Sequence, residues 1–250
     1  MTTHIVALSG GKDSTAMALR LNEVEPRDYI YVCTPTGDEP EEMFAHWKKL
    51  DSLLGGLKFI SSRSLDGEIR RQRCLPNHRM RFCTRILKIE PYETFLHSKL
   101  SDGPVVSYVG LRADEMDRPG GMFDDLPGIK MDFPMQRWGW GITRVKEYLK
   151  EQGVEVPRRT DCVSCFWQTL PEWWYTWKHN PDAFELAARR EEWVSKERGR
   201  KHTMRSPQRD TWPAGLRELG QEFEKGKMPR GVDEKGEAKL SRSRCRVCSM

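Results

Sequence analysis

The string Ser9-Gly10-Gly11-Lys12-Asp13-Ser14-Thr15 follows directly on the apolar run His4-Ile5-Val6-Ala7-Leu8, and it constrains the chain more than any other feature. The apolar run predicts a buried strand and the paired glycines a tight turn. A helix then begins near Asp13 and runs through Met17, Leu19 and Leu21. Two adjacent glycines let backbone N–H groups converge on an anion with no Cβ in the way. The helix N-terminus behind them adds partial positive charge, and Lys12 adds a full one. Ser9, Ser14 and Thr15 place hydroxyls at the same rim. The string therefore predicts a cradle for a phosphate or pyrophosphate. It does not have the P-loop pattern, in which a glycine and four further residues precede Gly-Lys-Ser/Thr.

The rest of the N-terminal half alternates strand and helix. Tyr29–Thr34, Leu57–Ile60 and Val105–Gly110 read as short strands. A helix opens after Pro40 with Glu41 and Glu42 over its positive end, and another covers Lys88–Leu100, with Ile89, Tyr92, Phe95 and Leu96 on one face. Such alternation predicts an α/β fold with a doubly wound, mostly parallel sheet. Ligands of such sheets bind at the carboxyl ends of the strands. The glycine loop, Thr36-Gly37-Asp38-Glu39 and Gly110-Leu111-Arg112 all follow strands, so all three can face one crevice.

Beyond about residue 135 the texture changes. Gly139–Leu149 reads as a turn and a helix with Thr143 as N-cap, and Arg158–Phe166 as a loop. Pro171–Trp177 and Pro181–Val194 read as helices, and residues 226–244 as a flexible tail. The organisation expected is a nucleotide-binding domain over 1–135, a Trp-rich helical extension over 136–225 that bears cysteines, and a basic tail over 226–250. From Arg189 onward there are 17 Lys and Arg against 10 Asp and Glu, a charge of +7 in a chain whose total is +5. Eight of the nine tryptophans lie at or beyond Trp138. Cations interleaved with aromatic rings suit a nucleic-acid partner, and equally a helical appendage with solvated charges and tryptophans in its core.

Seven cysteines, an odd number, without an export signal argue for thiols or metal ligands rather than disulfides. Cys162-Val163-Ser164-Cys165 has the spacer that lets two thiolates face one metal. Cys83 sits at a predicted helix start among Arg81 and Arg85, where a thiolate is favoured. Cys245 and Cys248 form a second such pair, Cys74 is a further candidate ligand, and Cys33 reads as a buried core thiol. Spacing alone does not choose between zinc and an iron–sulfur cluster. No apolar run approaches the roughly 20 residues of a membrane helix, and the expected location is the cytoplasm.

The string 9–15 resembles the PP-loop of the N-type ATP pyrophosphatases, which cleave ATP between the α and β phosphates and adenylate a substrate. Arg81–Pro91, with Cys83, Thr84, Lys88 and Pro91, resembles the cysteine-lysine-proline segment of the phosphoadenosine/adenosine phosphosulfate reductase superfamily. Gly110-Leu111-Arg112-Ala113-Asp114-Glu115 with Arg118 is similar to that superfamily's glycine-leucine-arginine motif. Thr36-Gly37 with Pro40-Glu41 matches its threonine-glycine and proline-glutamate element. Cys83, Cys162 and Cys165 fall where the superfamily's cluster-bearing reductases place cysteines. Cys83 is followed by Thr84 rather than a second cysteine, and the chain has no Glu-Cys-Gly segment of the reducing enzymes. The pattern is closest to the DNA phosphorothioation-type and phage members.

The resemblance implies an adenine nucleotide alpha hydrolase-like fold with a helical, basic C-terminal extension, and an ATP pyrophosphatase that adenylates an acceptor for sulfur transfer, in nucleic-acid thiolation or phosphorothioation. Gly10, Gly11, Lys12 and Ser14 then hold the pyrophosphate. Asp13 or Asp38 helps hold Mg²⁺, and Arg112 and Arg118 clamp phosphate. Cys83, Cys162 and Cys165 bind a 4Fe-4S cluster, with zinc as the alternative. The implied partners are ATP, a nucleic-acid acceptor and a sulfur-donor protein such as a cysteine desulfurase, with no membrane. A sulfonucleotide reductase and a non-catalytic nucleotide-binding subunit remain as alternatives.

Overall fold

The computed structural model describes residues 1–115 and 127–232. Arg118, Cys245, Cys248 and nearly all of the expected tail lie outside the described residues.

Five short strands form one sheet: β1 (Thr3–Ala7), β2 (Tyr29–Cys33), β3 (Leu57–Phe59), β4 (Val105–Tyr108) and β5 (Ile129–Asp132). Their order is β3-β2-β1-β4-β5 and every pairing is parallel. Ile5 of the central strand lies beside Ile30 on one side and Ser107 on the other. The chain reverses its direction of winding between β1 and β4, so their carboxyl ends frame the crevice.

Alternation along the strands explains why both faces are covered. Val6, Tyr31, Cys33 and Tyr108 point to one face, where they pack on α1 (Lys12–Val24) and α2 (Glu41–Leu54) through Ala16, Met17, Leu21, Met43 and Leu50. Ile5, Val32 and Val105 point to the other face, against Tyr92 and Leu96. Each aliphatic side chain fully buried here contributes about 1.5–3 kcal/mol. The buried Tyr92 hydroxyl is paired with Ser107 Oγ at 2.8 Å.

α3 (Leu65–Gln72) follows β3. The next helix starts at Phe82, beside Cys83 as expected, and runs without a break into the helix expected over Lys88–Leu100. It runs as α4 (Phe82–Thr84), a π turn (Arg85–Ile89) and α5 (Glu90–Lys99). Pro91 has no N–H to give the carbonyl four residues back, and the ring crowds that carbonyl. The wider turn just before it relieves both conflicts.

α6 (Pro134–Arg137) and α7 (Ile142–Glu151) follow β5. Met135, Val145, Tyr148 and Leu149 join the same core as α1, so that core continues past residue 135. The N-cap of α7 is Gly141 rather than Thr143. Asp114, 28 residues earlier, accepts from Ile142 N–H at 3.1 Å and supplies the oxygen that Thr143 was expected to offer.

The C-terminal helices are α8 (Leu170–His179), α9 (Pro181–Arg198) and α10 (Leu216–Glu224). Thr169 and Glu172 form a capping box at the start of α8, and Gly199 closes α9 in the left-handed region at φ 61°. These helices build a second core with α3 and α4, in which Trp173, Trp174, Phe184, Leu216 and Phe223 meet Leu65, Ile69 and Phe82. Trp177, Trp193 and Trp212 pack at its edge. Of the two readings of these tryptophans, stacking surfaces or the core of a helical appendage, the packing agrees with the second. The cations of the extension are largely paired as well: Arg189 and Arg217 with Glu185, Arg205 with Asp210, Lys201 with Glu218. None of the helices among the described residues is long and apolar enough to cross a membrane.

Candidate active site at the carboxyl ends of the strands

The glycine loop leaves β1 and enters α1 as expected. Gly10 adopts φ +80°, and a Cβ there would lie 2.6 Å from Trp47 Nε1. Only glycine fits. Trp47 Nε1 donates to Ser9 O at 3.3 Å, so α2 braces the loop from behind. Gly11 is the N-cap of α1 and supplies no side-chain cap. The first ladder bond runs from Thr15 N–H to Gly11 O at 2.9 Å. The N–H groups of Lys12, Asp13 and Ser14 therefore precede the ladder, and they carry the positive end of the dipole. Ser9 Oγ and Ser14 Oγ are paired at 3.0 Å, and Ser9 Oγ accepts from Gly11 N–H at 3.2 Å. The Lys12 side chain is 25% exposed. Thr15 differs from the expectation. It is fully buried, with its hydroxyl 3.5 Å from His46 Nε2, because its position in the first turn faces α2. Burial lowers the pKa of His46 and favours the neutral ring.

The loop after β4 closes on the same spot. A Cβ on Gly110 would lie 3.1 Å from Ser14 N and 3.2 Å from Asp13 C, so this position lets two backbones touch. Arg112 is 3% exposed, neither a phosphate clamp at the surface nor a solvated ion pair. Its Nη1 donates to Asp13 Oδ2 at 2.7 Å and its Nε to Asp114 Oδ1 at 2.8 Å, while Nη2 is 2.9 Å from Glu115 Oε1. With these carboxylates on all three sides, Arg112 positions Asp13. The other Asp13 oxygen, Oδ1, is buried with no hydrogen-bond partner among the described residues. Burial raises the Asp13 pKa against the opposing charges of Lys12 and Arg112. A hard divalent cation fits that orphaned oxygen.

The loop after β2 is built differently. Glu39 accepts from Thr36 N–H and Oγ1, both at 2.7 Å, and from Gly37 N–H at 3.0 Å. Asp38 is 3% exposed. Its Oδ1 accepts from Arg190 Nη1 at 2.5 Å, and its Oδ2 accepts from Ser164 N–H at 3.1 Å and from Ser164 Oγ. Arg190 also donates to Ser164 Oγ at 2.6 Å and to Asp66 Oδ1 at 3.2 Å. Asp38 is thus occupied by protein donors and does not fit the Mg²⁺ role expected of it. Arg190 and Ser164 are neighbours of the candidate site that the sequence does not reveal, since Arg190 lies 152 positions from Asp38.

The Cys162–Cys165 segment is pinned by this network. Val163 N–H donates to Asp38 O at 2.8 Å, and Cys162 Sγ lies 3.1 Å from Thr36 Oγ1. Burial pushes the Cys162 thiol up to about 12 and raises Cys165 as well. Cys83 is also raised, because burial outweighs Thr84, Lys88 and Arg81; the expected thiolate is not favoured. Among the described residues no group of three or more His, Cys, Asp or Glu side chains is arranged to hold a metal ion. The expected set of Cys83, Cys162 and Cys165 is therefore not assembled as a metal centre by these residues alone. Cys33 is a fully buried core residue, as expected.

No family model matches the chain. An uncharacterized protein of Methanocaldococcus jannaschii is 31% identical over 112 residues, 44% of this chain and 23% of that protein. The chain thus spans about a quarter of the length of that curated relative. A phosphoadenylyl-sulfate (PAPS) reductase from Candida auris, solved as a phosphate complex, is similar in structure with a TM-score of 0.44 at 15% identity, covering 62% of this chain and 74% of that one.

Proposed function

We propose that the chain is an ATP pyrophosphatase that cleaves ATP to AMP and pyrophosphate and adenylates an acceptor for sulfur transfer, in nucleic-acid thiolation or phosphorothioation. One observation carries this reading: an uncapped helix N-terminus, with Lys12 at its rim, beside a buried carboxylate that Arg112 holds by one oxygen only. The N–H groups of Lys12, Asp13 and Ser14 bind the pyrophosphate end of the nucleotide, and Lys12 offsets its charge. An acceptor oxygen attacks the α-phosphorus. The bond to the bridging oxygen breaks, and pyrophosphate leaves with that electron pair. The acceptor now carries AMP, which a sulfur nucleophile displaces. Mg²⁺, when bound through Asp13 Oδ1, offsets negative charge on the phosphate oxygens. Arg112 fixes Asp13 in place.

The sulfur comes from a donor protein such as a cysteine desulfurase as a cysteine persulfide, whose outer sulfur displaces AMP; a second thiol then attacks the remaining sulfur–sulfur bond, which frees the thiolated acceptor and leaves a disulfide. The full chain incubated with Mg²⁺, ATP and nucleic acid is expected to release AMP and pyrophosphate in equal amounts without a reductant. Release of ADP and phosphate overturns the reading. Reductant-dependent sulfite formation from a sulfonucleotide replaces it with the reductase alternative.

A further inference from the structure

After α7 the chain crosses over the glycine loop. Gly153 O accepts from Lys49 Nζ of α2 at 3.3 Å, and Thr160 Oγ1 lies 3.6 Å from where a Gly11 Cβ would stand. Beneath this crossing lies a pocket of about 590 Å³, within the size range of small-ligand sites. Five cations line it, Lys12, Lys49, Lys146, Lys150 and Arg158, against the single carboxylate of Glu155. Lys146 and Lys150 stand one turn apart on α7, and neither has a carboxylate partner among the described residues. The cations of the C-terminal extension are mostly neutralised, whereas this lysine pair is not. Like charges gathered in a concave wall repel one another and mark the footprint of a polyanion. Leu149, Val154 and Val156 add apolar surface to the same walls, which suits a sugar or base edge beside the phosphates.

Of these cations only Lys12 belongs to the glycine loop. Arg158 stacks on Tyr175 and Lys49 donates to Gly153 O, but Lys146 and Lys150 are more than the leaving pyrophosphate requires when the α1 N–H groups and Lys12 serve it. We propose that the pocket is a second phosphate site, adjoining the glycine loop at Lys12, and that it takes a phosphorylated nucleotide unit of the acceptor. This rests on the adenylation reading for what the acceptor undergoes, but not for its binding. The nucleotide unit belongs either to a single strand or to a free nucleotide.

The test uses the full chain, with binding of a labelled single-stranded 10-mer, a 5′-mononucleotide and ATP measured separately. Lys146→Gln/Lys150→Gln is expected to weaken the 10-mer at least tenfold at low salt. It also lowers the slope of log K against log salt by about 1.4, roughly 0.7 for each single-strand phosphate that is no longer neutralised. ATP affinity stays within twofold. Weakening confined to the mononucleotide assigns the site to a free nucleotide and supports it equally. Unchanged affinity for both ligands overturns the site. So does a parallel fall in ATP affinity, which assigns the lysines to the ATP phosphates. Both side chains are exposed, so an unchanged melting temperature excludes misfolding. Wild-type protein that binds the 10-mer through these lysines but never ATP defeats the adenylation reading and leaves the site standing.

Discussion

After β1 the chain runs Ser9-Gly10-Gly11 into an uncapped helix, with Asp13 Oδ1 left without a partner among the described residues. After β2, the next strand in the sheet, it runs Thr36-Gly37-Asp38-Glu39 into a loop whose two carboxylates are both engaged, Glu39 by the loop's own N–H groups and Asp38 by Arg190 and Ser164. The sequence presents both loops as glycine-bearing turns beside an aspartate. Their physical states are opposite. Native structures rarely leave buried polar atoms unsatisfied, and an orphaned carboxylate oxygen is open to an ion, a water or a ligand. The first loop therefore has capacity for a ligand. The second holds the C-terminal extension and the Cys162–Cys165 segment against the sheet.

The largest expected effect breaks the second loop. Asp38→Ala removes the nearer of the two carboxylates that Arg190 faces and leaves the buried cation with Asp66 alone, at a cost of about 3 kcal/mol, the low end for breaking a buried pair. Urea denaturation measures this directly, and a loss below about 1 kcal/mol contradicts the structural role given to Asp38. The mirror experiment is Lys12→Ala. It is expected to lower pyrophosphate release by about a hundred- to a thousandfold, the usual effect of losing one preorganised charge-stabilising group. Stability stays within about 0.5 kcal/mol, as for most partly exposed positions. An equal fall in stability at Lys12 erases the distinction between the loops.

Which of these residues the sequence revealed follows from the range of the forces that place them. Gly10, Gly11 and Gly110 were legible because backbone shape is local, and the strand–turn–helix pattern around them is written in adjacent residues. Arg112 is legible as a residue of the loop after β4, but its pairing with Asp13 is not, since Asp13 approaches it from 99 positions away. Arg190 and Ser164 were not found, because nothing near either of them in sequence points to Asp38. β5, only four residues with Lys130 and Asp132 among them, lacks an apolar run to read. α3 is dominated by charge and interrupted by Gly67. It is held by Leu65 and Ile69 against the second core, a tertiary effect that local propensity does not report. The basic, aromatic C-terminal third was legible as composition, but composition does not distinguish paired cations from free ones.

Acidity should discriminate between the two regions as well. Glu191, next to Arg190 on α9, accepts from Met204 N–H at 2.6 Å and Leu216 N–H at 2.7 Å. Burial outweighs these donors and raises its pKa from 4.5 to about 7. The folded protein thus binds this proton more tightly than the unfolded chain. Its stabilising effect is complete below about pH 4.5 and is lost as pH rises to about 7, a decline of about 3 kcal/mol. Glu191→Gln is expected to remove that slope from stability measured against pH. Persistence of the slope in the variant assigns it to other groups.

The smallest expected effect probes the contact between the glycine loop and β4. Gly110→Ala places a methyl 3.1 Å from Ser14 N and 3.2 Å from Asp13 C. Both neighbours are backbone at the start of α1, so relief requires the helix end to shift by a few tenths of an ångström. Overpacking of this kind costs about 1–3 kcal/mol. The same shift moves the N–H groups proposed to face pyrophosphate, and small misplacements of that kind cost catalysis disproportionately. Turnover should therefore fall by about tenfold or more, with KM for ATP rising, while the wild-type-like urea sensitivity of the Asp38–Arg190 contact persists. A variant that loses stability but keeps full turnover shows that α1 can move without harm to the chemistry, and the catalytic site then does not lie at its N-terminus.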